Sequence, residues 1–253
     1  MRHWLVAVML AWLAIPAWAA EKLTLCHEDV DVFPWVFGEK DGLDRYVMQT
    51  VARHLQLEVT YRALPWKRCQ YEVREGLSDG MFSAAFSAER TLYAAYPMAA
   101  DGQPDAALRM GRDRYLVFRK LGHAASWQGG RFVHAERAGI QAGYSIGAEL
   151  RTQGLLLDER SATAEDVLRK LDAGSVDVAV LLEGPALRAM QQFPRWSSRL
   201  EALPESYREN DMFLALGRGV CQKRPGLCHK LWQEIRVVRE SAEYRQLQRK
   251  YGL

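Results

Sequence analysis

Apolar and polar positions alternate from Leu23 to Glu28 and then run into Phe33, Pro34 and Trp35, a pattern that predicts a strand followed by an anchored loop. From Leu43 the period changes. Leu43, Tyr46, Val47, Val51 and Leu55 recur at helical spacing, while Asp44, Gln49 and Arg53 take the wet face. Residues 58–63 read as a second strand, which Pro65 and Trp66 interrupt. A short helix over 67–75 ends at Gly76, and a third strand runs from Gly80 to Phe86. This β-α-β-α-β order predicts a mostly parallel sheet flanked by helices.

A similar passage returns later. Thr163 is placed to cap a helix carrying Val167, Leu168 and Leu171, closed by Gly174, and Asp177 precedes a strand over Val178 to Leu182. Gly76 with Asp79 and Gly174 with Asp177 thus mark a helix, turn and strand in each half. Two lobes with a cleft between them follow, with a single doubly wound domain as the alternative. The polar turn-forming residues Asp101 to Asp105 suggest a crossing, and Asp211 to Leu216 a return. The expected division is 20–104 for the first lobe, 105–211 for the second, and 212–253 for the return and closing helices. Those helices carry Leu231, Trp232, Ile235 and Val238, then a Ser241 cap and an end near Tyr251.

The amino terminus changes the compartment. Arg2, an apolar stretch from Trp4 to Ile15, and Ala17 and Ala19 around Trp18 read as a secretory signal over 1–19, cleaved after Ala19. The apolar stretch is short for a membrane span, and a mean hydropathy of -0.25 goes with a soluble mature protein. No cysteine follows the cleavage point, so no lipid anchor is expected. Lys and Arg number 34 against 31 Asp and Glu, interleaved rather than striped, which argues against a nucleic-acid partner.

Four cysteines in an exported chain are most simply two disulfides, with three pairings open. Cys221 and Cys228 enclose a short turn-rich segment, so a local bridge is expected there, leaving Cys26 with Cys69. His27, His54, His123, His134 and His229 are scattered, so neither a metal nor a cofactor is expected.

The chain resembles the bacterial extracellular solute-binding proteins of family 3, the periplasmic components of polar amino-acid ABC importers. The resemblance rests on Phe33-Pro34-Trp35, Gly42-Leu43-Asp44, the Gly76 to Asp79 turn, Ser87 to Arg90, Gly139 to Ser145, and the Tyr244 to Tyr251 helix. It implies a two-lobed periplasmic binding protein-like fold of type II. It also implies a monomer that takes a small carboxylate-bearing ligand and passes it to an inner-membrane ABC permease, or presents it to a sensor or other partner. Arg90 stands where the family clamps the ligand carboxylate, a role suited to a planar fork of donors. Gly143, Tyr144 and Ser145 match the second-lobe loop that receives the same group. Phe33, Trp35 and Trp66 are candidates for an aromatic wall, with core packing as the plainer alternative. Lys67 and Arg68 add charge at the mouth or form a solvated face.

Two departures touch the ligand. The family carries an acid for the ligand ammonium at the end of the second-lobe strand, where this chain has Leu182 followed by Glu183. Ala85 stands where a ligand-binding hydroxyl is common, although Ser83 is present, and Glu28 lies near a first-lobe acidic position. An amino acid and a carboxylate without an amino group both remain open.

Enzymatic readings compete. Gly143-Tyr144-Ser145-Ile146-Gly147 satisfies the G-x-S-x-G elbow of serine hydrolases, and Asp172, Asp177 and His229 follow in hydrolase order. No His-Gly-rich oxyanion segment precedes the elbow, and the two-lobe repeat would go unexplained. Some members of the family act as dehydratases, a chemistry for which Glu28 or Glu183 would serve as general acid. Binding without catalysis is the expectation.

Overall fold

The computed structural model describes residues 21–38 and 41–253. The expected signal segment, 1–19, lies outside the described residues. In chain order the first half contributes β1 (Lys22–Glu28), α1 (Leu43–His54), β2 (Glu58–Leu64), α2 (Trp66–Arg74), β3 (Gly80–Ala85) and β4 (Ala94–Ala95). Then come β5 (Gly111–Lys120), β6 (Ser126–Gln128), β7 (Arg131–Val133), β8 (Arg137–Gln141), α3 (Ile146–Thr152), β9 (Leu156–Ser161) and α4 (Ala164–Asp172). The chain continues through β10 (Val178–Leu182), α5 (Glu183–Gln192), α6 (Pro194–Ser197), β11 (Leu200–Ala202) and β12 (Arg208–Gly217). It closes with α7 (Arg218–Lys223), α8 (Pro225–Arg239) and α9 (Ala242–Lys250).

The main sheet runs β2-β1-β3-β12-β5-β10-β8-β9. In the first lobe β1 pairs parallel with β2 and β3; in the second, β8 pairs parallel with β9 and β10. The lobes are joined by the antiparallel pair β5 and β12, matched from Arg208 opposite Tyr115 to Met212 opposite Gly111. Beyond Met212, β12 leaves β5 and pairs with β3 and β4 instead. One strand therefore belongs to both lobes, and any change of the angle between them must pass through this pair.

The repeat has a shared physical basis. Gly76 and Gly174 end their helices at positive φ, 71° and 75°, a backbone region that glycine enters without steric cost. Asp79 then ties β1 down: its backbone donates to Thr24 O and its carboxylate accepts from the Thr24 amide at 2.7 Å. Asp177 does the same to β8, donating to Arg137 O while its carboxylate accepts from the Arg137 amide at 2.8 Å. Thr163 and Ser241 accept from Asp166 and Tyr244 amides, as N-caps do.

One buried cluster lies wholly in the second lobe, and a larger one runs through both. Leu116, Phe118, Val167, Leu168, Leu171 and Trp196 are buried together in the second lobe. Leu23, Leu25, Leu43, Val47 and Val51 join Leu231 and Ile235, so the returning α8 covers α1. The Cys26–Cys69 disulfide, Cα to Cα 5.6 Å, fixes α2 against β1, and Cys221–Cys228 ties α7 to α8. By the chain-entropy relation the bridge across 43 residues contributes about 4 kcal/mol and the one across 7 about 2.5 kcal/mol. Among the described residues no helix is long and apolar enough to cross a membrane.

Candidate functional site

Two connected cavities lie between the lobes. The inner one is lined by Glu28, Val32, Trp35, Val36, Trp66, Phe82, Ser83, Ala85, Arg90, Tyr115, Tyr144, Ser145, Leu182 and Met212 and measures about 30 Å³. The outer cleft measures about 780 Å³ and is bounded by α2 and the 87–90 turn on one side and by the 143–151 segment on the other. Arg90, Tyr144 and Ser145 border both.

Arg90 sits in a single turn of 3-10 helix, Glu89–Leu92, and is only 4% exposed. It makes no ion pair with Glu89. Its Nη1 donates to Ala85 O at 2.9 Å, its Nε to Gln70 Oε1 at 3.3 Å, and its Nη2 to Gly143 O at 3.0 Å. The guanidinium also lies 5.2 Å from the Trp66 ring. The first-lobe cation and the second-lobe loop therefore meet across the seam. Gln70 reinforces the contact by donating to Gly143 O at 3.3 Å.

Gly143 has φ 80°, and a Cβ there would approach Lys67 Cγ at 2.9 Å. A larger residue would be strained in its backbone and would push α2 away. What the loop turns toward Arg90 is the Gly143 carbonyl, not an amide. Tyr144 reaches into the first lobe, where its hydroxyl donates to Glu28 Oε2 at 2.8 Å. Ser145 Oγ is buried without a hydrogen-bond partner among the described residues. It does not cap α3.

The inner cavity is mostly apolar and its acids are buried. Glu28 has its pKa pushed up to about 8, first by burial, with the Tyr144 hydrogen bond and the Arg90 charge pulling back. Behind it, Ser83 takes a left-handed φ of 58° and donates to Asp44 Oδ2 at 2.6 Å. Burial raises Asp44 to about 7, and Asp113, which accepts from Trp35 Nε1 at 2.7 Å, to about 6. Each of these acids binds its proton more tightly in the folded chain. Their stabilising contribution is complete below the unfolded values near 4 and is lost as pH rises through about 6, 7 and 8. The denaturation midpoint is therefore expected to fall between pH 5 and pH 8.5, by the equivalent of a few kcal/mol. Glu28→Gln should flatten the upper part of that fall; a midpoint that holds level or rises would contradict the burial of these groups.

Several expected site residues are placed differently. Glu183 lines neither cavity: it starts α5, and its carboxylate is taken by Nε and Nη2 of Arg114. Phe33 lines neither cavity. Its ring packs on Phe37 and Tyr251, with Arg188 above it 5.1 Å from the centroid. Trp35 lines the inner cavity but is 3% exposed, with its ring filling the space beside Gly111, so it is wall and core at once. The Ser83 hydroxyl is committed to Asp44. Arg68 turns to Glu72 and is no part of the mouth, whereas Lys67 lines it.

The elbow finds no partners. Among the described residues no histidine lines either cavity, Asp172 pairs with Arg199, Asp177 is bound to Arg137, and His229 lies in α8. Sequence reasoning missed Gln70, Tyr115, Val32, Val36, Phe82 and Met212. For Gln70 a signal existed, since Lys67, Gln70, Tyr71 and Arg74 share one face of α2.

No protein-family model matches the chain, and no curated protein does. Solved structures match over nearly the whole length. A histidine kinase sensor domain with similarity to periplasmic binding proteins is similar over 92% of this chain and 96% of its own, at 17% identity and TM-score 0.72. The GluR0 ligand-binding core from Nostoc punctiforme, in complex with L-glutamate, matches over 91% and 99%, at 13% identity and TM-score 0.70. An arginine transport-system periplasmic binding protein from Legionella pneumophila matches over 92% and 100%, at 14% identity and TM-score 0.70. At such identities the likeness establishes the fold, the two-lobed periplasmic binding protein-like architecture with its cleft between lobes.

Proposed function

We propose that this protein is an exported solute-binding protein whose lobes close over a small carboxylate-bearing ligand, amino acid or related, and hand it to an ABC importer. One observation carries the reading: Arg90 of the first lobe and the Gly143 to Ser145 loop of the second border the same cavities and touch at 3.0 Å. A carboxylate inserted at that contact would take donors from the guanidinium and from Ser145, whose hydroxyl is free. Two disulfides suit the oxidising periplasm, and proteins of this fold include the binding proteins of amino-acid transporters. Closure would shift the population of lobe arrangements toward one that the permease recognises. The sensor domain of similar fold keeps a second listener in view, a signalling partner that reads the same closure.

Thermal shift of residues 20–253 against amino acids and simple carboxylates tests the reading. A ligand at 100 times its Kd adds about 2.7 kcal/mol, expected as a rise of several degrees. A panel in which no carboxylate moves the transition would sink it.

A further inference from the structure

The two cavities differ in size and in charge, and the difference bears on the ligand. This inference rests on the carboxylate reading above and narrows it. The inner cavity, about 30 Å³, has room for one or two water molecules. Tyr144 stands between it and the outer cleft, with its hydroxyl held by Glu28 and its ring edge-on to Tyr115 at 6.4 Å. A ligand whose carboxylate lies at Arg90 and Ser145 therefore extends outward, into the 780 Å³ cleft, rather than inward.

The outer cleft is polar and carries an excess of cations. Its second-lobe charges are largely matched, since Arg151 pairs with Glu159 at 2.6 Å and Arg208 pairs with Glu149. Its first-lobe wall is not. Lys67 and Arg74, two helical turns apart on the cleft face of α2, have no carboxylate within ion-pair distance among the described residues. Arg74 rests over the Tyr93 ring, 4.8 Å from its centroid. Among the described residues Glu89 is the one acid on that wall, and it is exposed. Two further buried polar atoms facing this region lack partners, Ser145 Oγ and Arg208 Nε. In contrast, among the described residues no second-lobe residue lining the cleft offers an unpaired carboxylate to an ammonium group.

We infer that the ligand occupies the outer cleft, kept from the inner chamber by Tyr144, and is a dianion. One carboxylate meets Arg90 and Ser145, and a second negative group faces Lys67 and Arg74. Its body is short and polar, and it needs no ammonium.

Calorimetric titration of the mature chain with a matched set decides this. The set is the α,ω-dicarboxylates from malonate to adipate, the monoamide glutaramate, the apolar monocarboxylate valerate, and the amino acids glutamate and arginine. At least one dicarboxylate is expected to bind tenfold or more tightly than glutaramate and valerate. The Lys67→Ala, Arg74→Ala double variant is expected to erase that gap by weakening the dicarboxylate, and raised salt should weaken it in the same way. Valerate binding as tightly as any dicarboxylate would overturn the inference, because a second negative group would then contribute nothing. Arginine binding most tightly, or dicarboxylates from malonate to adipate all failing to bind, would also overturn it. If monocarboxylates bind and depend on Arg90, only the dianion falls; if no carboxylate binds at all, the carboxylate reading falls with it.

Discussion

Arg90→Ala is expected to weaken carboxylate binding by 100-fold or more while leaving a folded chain. A bidentate charge-assisted bond in a site closed to water is worth about 3 kcal/mol, which corresponds to more than two decades of affinity. The loss to the fold is smaller because the backbone acceptors keep other donors. Ala85 O still receives the Tyr96 hydroxyl at 3.2 Å, and Gly143 O still receives Gln70 Nε2. Arg90→Lys restores the charge without the planar fork and should recover only part of the affinity. Isothermal titration with the tightest carboxylate, beside circular dichroism for the fold, separates the two effects. Wild-type affinity in Arg90→Ala would remove this side chain from the site.

The second large effect is expected far from the chemistry, at Gly184. A Cβ on Gly184 would lie 2.0 Å from the carbonyl oxygen of Phe33 and 3.0 Å from its carbon, so the first-lobe loop and the start of α5 approach as closely as two backbones can. The obstacle is main chain and cannot swing aside. Within its own lobe the substitution gains nothing, because Gly184 stands in the first turn of α5 directly before Pro185, where a Cβ is disfavoured in the helical region. Gly184→Ala should therefore lose closure, with a small cost at the start of α5. The expected readouts are a larger radius of gyration in small-angle scattering and at least a tenfold loss of affinity. Unchanged scattering and unchanged affinity would mean that this seam does not govern how the lobes meet. The same seam explains the position of Phe33, whose carbonyl serves the contact while its ring packs outward on Phe37 and Tyr251.

Much of the fold is legible because local chemistry and global architecture agree. The first parallel unit and, in the second, α4 and β10 follow the periodicity, and the two glycine and aspartate turns mark real strand clamps at Thr24 and Arg137. The sequence marks crossings at 101–105 and 211–216 but not the β5–β12 pairing that joins the lobes. Near the start of β5, Arg112, Asp113 and Arg114 show no apolar alternation, yet each has a distant partner: Arg112 with Asp211, Asp113 with Trp35, Arg114 with Glu183. Only long-range pairing makes a strand of them, and no local pattern reports pairing partners a hundred residues away.

The site divides along the same line. Arg90, Tyr144, Ser145, Glu28 and Trp66 surround the cavities because motif position is enough to place them. Glu183 is one residue past Leu182 in sequence, which suggests access to the same cavity, but the turn into α5 sends its carboxylate to Arg114 instead. Leu182 keeps the cavity wall, so the second lobe presents a hydrocarbon face where an acid was sought. Gln70 is the opposite case. The helical spacing with Lys67, Tyr71 and Arg74 puts it on the cleft face of α2, but its value comes from standing between Arg90 and Gly143 once the lobes meet.

The central claim is that one anion bridges the halves of the molecule. The most direct measurement is a crystal structure of the mature chain grown with the carboxylate that titration ranks tightest. The account predicts that ligand in the cleft, with one carboxylate in hydrogen-bond contact with both the Arg90 guanidinium and Ser145. A ligand bound elsewhere, or held within one lobe with Arg90 still turned only to backbone carbonyls, would contradict it.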